Sequence, residues 1–144
     1  MEHIEIITIG LPFCAFKILS GLLWGQHWLT LLGFIDFIIN LMNLMALIIT
    51  NKRLMDACVL SFIVRKFKRP TPQTKSMWQD FGNSLDVFLS FSLVAIMIGG
   101  DYLKLLPQNH MAIWNLSVIL NVFGAGYGRV INSIQKLSKK DTFI

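Results

Sequence analysis

The chain has 144 residues, of which 54% are hydrophobic and only 15% charged, and its mean hydropathy is +0.60. An ordinary soluble domain carries about 25% charged residues, so this composition excludes a fold that must cover its surface with polar side chains. Thirteen Lys and Arg against eight Asp and Glu give +5, but these charges flank apolar runs, so anionic lipid head groups are the expected partner and nucleic acid is not.

The N-terminal residues carry Glu2 and Glu5 where a signal peptide needs positive charge, so no cleavable signal is expected. Residues 6–25 are apolar over the length of a membrane span, about 20 residues, although Pro12 and Lys17 interrupt them. Residues 28–50 form a cleaner span in which Asp36 is the one charge. Gly25, Gln26 and His27 connect the two, with Trp24 and Trp28 placed for the interfacial belt. This reads as a helical hairpin. Lys17 and Asp36 stand equally far from its turn, roughly 14 Å at the helical rise, so two antiparallel helices hold them at one depth. Paired there, they offset much of each other's desolvation. The competing arrangement lays residues 6–25 in the interface with Lys17 reaching the surface, which leaves three spans instead of four.

Asn51, Lys52 and Arg53 stop the second span. Residues 54–68 are apolar but too short to cross, and they end in Arg65, Lys66, Lys68 and Arg69. An amphipathic helix lying in the interface, with those four cations among lipid head groups, is predicted here. Pro70 and Pro72 end it. Residues 84–100 form the next span, a loop with Lys104 turns the chain, and residues 111–131 return it. The expected organisation is therefore an N-terminal hairpin over 1–50, a basic segment over 51–83, a C-terminal hairpin over 84–131 and a basic tail over 132–144. The fold class is all-α, a polytopic transmembrane bundle of two hairpins. Seven cations in 51–83 and four between Arg129 and Lys140 put those parts on the cytoplasmic side by the positive-inside rule. A multi-pass protein of a bacterial inner membrane, with a cytoplasmic C-terminus, is the expected setting.

The polar residues inside the spans fall on helical faces. Asp36, Asn40 and Asn43 share one, Asp86 and Ser90 another, and Ser117, Asn121, Gly124 and Gly128 a third. In hydrocarbon such faces must turn towards protein or a wet cavity. Gly124 and Gly128 form a GxxxG, which suits close helix packing. Equal arms about the second loop set Ser90 level with Asn121, and Asp86 level with Gly124–Gly126, near Arg129. Cys14 and Cys58 have no metal-ligand spacing, and His3, His27 and His110 join no carboxylate or cysteine cluster. No catalytic set, metal or cofactor is expected, and the chain does not read as an enzyme.

Two functions compete. A polar face on each of three helices exceeds what so small a bundle needs. That favours a packing subunit of a larger assembly of translocation, secretion or energy-coupling type, with other membrane subunits or copies of itself as partners. The second is a homo-oligomeric pore or a small ion or proton transporter, in which Lys17, Asp36 and Asp86 line the path and Asn40 and Asn121 relay along it.

Overall fold

A computed structural model describes residues 2–55, 58–68 and 74–141, with side chains as far as Ile131 except those of Glu2, Arg65, Phe67, Lys68, Lys75 and Ser76. Helix α1 (Glu2–Glu5), a π-helical turn (Ile6–Gly10) and α2 (Leu11–Trp24) make one rod. Pro12 cannot donate to the carbonyl of Thr8, and its ring crowds that carbonyl. The wider π turn ahead of it takes up the misfit, and Asn121 Nδ2 donates to Thr8 O at 3.5 Å. The rod ends at Gly25, whose φ of 64° is left-handed and suits a residue without a Cβ. Helix α3 (His27–Thr50) follows and ends at Asn51, also left-handed at φ 55°. Then come α4 (Val59–Lys68), α5 (Lys75–Gly99), a short 3₁₀ turn (Tyr102–Leu105) and α6 (Gln108–Asp141).

The described residues contain no strand. Four helices are long and apolar enough to cross a bilayer: His3–Trp24, His27–Thr50, Met77–Gly99 and Gln108–Ile131. The chain is an all-α helical bundle of transmembrane proportions. Its outer surface is apolar, with Ile48, Ile49, Phe88, Ile119 and Val122 among the exposed side chains. Contiguous exposed apolar surface on this scale marks contact with lipid or another apolar partner.

The rod, the span that carries both Lys17 and Pro12, is the centre of the bundle. In its apolar window 56% of residues are buried, against 17% in that of α6. It packs on α3, α5 and α6. A helix carrying Lys17 and Pro12 needs protein around it, because lipid can satisfy neither an ammonium nor a carbonyl. Phe13, Phe16 and Leu19 of α2 meet Met97 of α5 and Trp114 of α6 to form the apolar core. The α2–α3 contact is close: a Cβ on Gly21 would strike Thr30, and one on Gly33 would strike Ile18 and the carbonyl of Cys14.

Helices α5 and α6 are joined by a short turn, but α6 finds its main contacts on the rod, and α5 packs chiefly on α4 and next on the rod. Asn121 and Gly124 therefore lie against Thr8, where the sequence put them level with α5. The equal-arm argument assumes two helices packed on each other, and the rod stands in the way.

The segment after α3 also departs from expectation. The amides of Leu54 and Met55 donate to Asn43 Oδ1 at 3.1 and 2.9 Å, and Asn43 Nδ2 returns a bond to Met55 O at 3.3 Å. The amide of Val59 donates to Asp36 Oδ1 at 2.7 Å. Asp36 lies fourteen residues before Thr50, about 21 Å along the helix. The start of α4 is thus drawn back to mid-helix depth, and α4 returns antiparallel to α5. Ser61 backbone seats directly on Gly82, Ser61 Oγ donates to Gln79 O at 3.3 Å, and Cys58 Sγ lies 3.6 Å from Asn83 Oδ1. An amphipathic helix is present, but it begins at Val59, is packed into the bundle, and points its N-terminus at the interior. Polar anchors at Asn43 and Asp36 set its depth, which hydrophobic periodicity does not report. Residues 75–83, read from sequence as part of the connection, are the first turns of α5 and pack against α4.

Candidate functional site

The helix positions of Lys17, Asp36 and Asp86 bring the three together. Lys17 Nζ donates to Asp36 Oδ2 at 2.5 Å and also to Asp86 Oδ1. The side chains of Lys17 and Asp36 are 0% and 1% exposed, and that of Asp86 is 11% exposed. Each lies within about one turn of the middle of its span. The hairpin register between α2 and α3 pairs Lys17 with Asp36. Helix α5 runs parallel to α2, and it adds Asp86 from the other side.

The remaining groups hold this trio in place. Asp36 Oδ1 accepts the Val59 amide, so a helix N-terminus with its partial positive charge faces that carboxylate. Broken or half-length helices ending at mid-membrane are tolerated where they are buried in protein and face a polar site. Asn40 Nδ2 donates to Asp36 O at 2.9 Å and approaches Cys14 Sγ at 3.6 Å. Gly10 of the π turn leaves room for Asn40, since a Cβ there would meet Asn40 Oδ1. Full ionisation of one lysine and two aspartates leaves a net charge of −1. An uncompensated charge in apolar surroundings is costly, so one added proton or monovalent cation makes the trio neutral.

The trio has different surroundings on its two sides. Towards Glu5 and Arg53 lies a cavity of about 100 Å³ lined in part by Asn40, Cys58, Asn83 and Asp86. At its mouth Arg53 Nη2 pairs with Glu5 Oε2 at 2.6 Å. Towards Trp24 the polar lining continues for one turn only. Ser20 and Ser90 are 0% exposed, and among the described residues their hydroxyls have no hydrogen-bond partner. Beside the trio the Phe16 and Trp114 rings approach to 4.8 Å, and further towards Trp24 stand Met97, Val94 and Leu23.

The other expected site residues are placed as follows. Asn43 binds the 54–55 backbone, Ser117 Oγ donates to Ile113 O at 2.8 Å, and Ser90 lies one turn above Asp86. Gly124 is a close-packing glycine against Thr8, whereas Gly128 has nothing within 4 Å of a would-be Cβ. The two glycines do not act as one motif within this chain. Lys66 is exposed on α4. The side chains of Arg65 and Lys68, and all of Arg69, lie outside the described residues. Sequence reasoning missed the contact of Asp86 with Lys17, having set Asp86 beside Gly124–Gly126 and Arg129. It also missed the Glu5–Arg53 pair. The signal it had was the position of Asp86, near the middle of a span. Among the described residues no group of His, Cys, Asp and Glu is placed to hold a metal ion. The chain matches no family profile, no curated protein and no solved structure.

Proposed function

We propose that this chain is a small ion- or proton-translocating membrane protein whose working centre is the Asp36–Lys17–Asp86 trio. The carrying observation is the unequal charge balance of that buried trio, in which a single ammonium bridges two carboxylates. A purely structural ion pair needs one partner of each sign; the second carboxylate supplies a place for one exchangeable proton or cation. The half-length helix α4, ending on Asp36, supports this reading, because such helix ends face ion sites in transport proteins. Asp36, Asn40, Asn43, Asp86 and Asn121 find partners inside a single copy, which supports a centre built within one chain. No catalytic role is part of the proposal.

A packing subunit of a larger membrane assembly remains the second reading. One observation favours it: Gly126 and Gly128 of α6 are each left open among the described residues, and small residues suit close helix approach.

Reconstitution into liposomes tests the first reading. A pH-sensitive dye in the lumen should report dissipation of an imposed pH gradient, or a cation-selective electrode should report flux. Asp86→Asn and Asp36→Asn should each abolish it. Flux that survives both substitutions makes the carboxylates structural. Absence of flux from the wild-type chain, together with stoichiometric copurification of another membrane protein in mild detergent, establishes the second reading instead.

A further inference from the structure

We infer that the trio is reached from one side only, by protons carried on water through the cavity beneath Glu5 and Arg53, with Asp86 as the entry acceptor. The identity of the ion rests on the transport reading above; the route rests on geometry alone. Asp86 is the one member of the trio with measurable exposure, and it lines that cavity. A cavity of about 100 Å³ has room for a few water molecules, and it offers them polar partners in Asn40, Asn83 and Asp86. Glu5 and Arg53 come from parts of the chain 48 residues apart and pair across the mouth. Arg53 follows the left-handed turn at Asn51, so the end of α3 positions one partner and α1 the other. The pair is partly solvated, with side chains 26% and 57% exposed; pairs of that kind contribute little net energy and open readily.

The opposite direction is closed. Past Lys17 and Asp86, Ser20 and Ser90 are the next polar groups on α2 and α5, and their buried hydroxyls lack partners among the described residues. A hydroxyl can both accept and donate, so the two can extend the path by one turn. Further towards Trp24 the interior is apolar, with Met97 buried and Leu23, Val94, Leu103 and Leu106 packed about the core. The described conformation is therefore open towards the Arg53 face and shut towards the Trp24 face.

Single-cysteine labelling tests the route without needing the orientation in advance. Cys14 and Cys58 are replaced by Ala, and a cysteine is placed at Asn83, with Lys52→Cys and Gln26→Cys as reference sites for the two faces. Sealed vesicles are treated with a membrane-impermeant methanethiosulfonate. The cysteine at 83 should label with the sidedness of that at 52, at a rate about tenfold lower. Adding Glu5→Ala should raise that rate several-fold. Labelling with the sidedness of position 26 overturns the route. So does an absence of labelling at 83 in vesicles where position 52 reacts, or a rate that ignores Glu5→Ala. Should Asn83→Cys not fold, Ile9→Cys on the opposite wall carries the same expectations. Proton flux is followed in parallel. Correct sidedness with no flux in the wild-type protein overturns the transport reading and leaves the route standing. Flux that persists after full labelling at 83 overturns the route and leaves the transport reading standing.

Discussion

Replacing Lys17 by Leu should destabilise the bundle far more than replacing Asp86 by Asn, although both remove one charge. Lys17→Leu strips the ammonium from Asp36, whose side chain is 1% exposed, and from Asp86, which meets the cavity on one side only. Removing one partner of a buried pair costs about 3–5 kcal/mol, and here two acids are left facing each other. The loss should fall at the upper end of that range. Asp86→Asn instead leaves the Lys17–Asp36 pair intact and electrically neutral, and the amide can still accept from Lys17. A change of no more than about 1 kcal/mol is expected, because the lost attraction is set against removal of an excess buried charge. Combining Lys17→Leu with Asp36→Asn and Asp86→Asn should recover most of the single-variant loss, since neutral side chains of similar size leave no stranded charge. Unfolding in a mild detergent, followed by far-UV circular dichroism and checked by size-exclusion monodispersity, measures all three. If Asp86→Asn proves as damaging as Lys17→Leu, or the triple variant is no better than the single one, the charge argument is wrong.

The two glycines of the GxxxG should separate. Gly124→Leu drives a side chain into Thr8 and should cost about 1–3 kcal/mol in the same unfolding assay, as overpacking does; Gly128→Leu should be neutral in the isolated chain. Asn43→Ala removes the acceptor of the Leu54 and Met55 amides, at about 1–3 kcal/mol for each donor left unsatisfied. Hydrogen exchange at those two amides should accelerate selectively, with the α2–α3 hairpin unchanged. Gly82→Val places a side chain on the backbone of Ser61. It should displace α4 from α5, read as faster exchange across residues 59–64 while α6 stays protected.

Much of the helical content was legible because apolar runs of span length allow few folds. The Lys17–Asp36 contact was legible for a more particular reason. A tight turn at Gly25–Gln26 joins two helices that do pack on each other, so residue counting gives depth directly. Counting failed for the second pair because α6 packs on the rod while α5 packs on α4 and the rod, and no sequence feature of either helix announces that. Asp86 was visible as a charge near mid-span, yet its partner lies 69 residues away. No turn of known length connects them. The depth of α4 was hidden for the same reason. An apolar run ending in lysines and arginines specifies an amphipathic face, while its insertion depends on two backbone contacts, to Asn43 and Asp36. The polar faces do point inward, with Asp36, Asn40, Asn43, Asp86, Ser90 and Ser117 buried, because a period of three to four residues fixes a helix face without long-range information.

The central placement of the Lys17 rod also has a consequence for the order of assembly during synthesis. At about 5–20 residues per second, Asp36 follows Lys17 within roughly one to four seconds, whereas Asp86 follows only after roughly three to fourteen. The first hairpin can thus enter the bilayer as a self-neutralised unit. The second carboxylate arrives as a late addition to a pair already made. The helix that carries Lys17 and Pro12 is among the first to meet lipid, and the roughly three to fourteen seconds before Asp86 appears are when this chain is most exposed to membrane quality control.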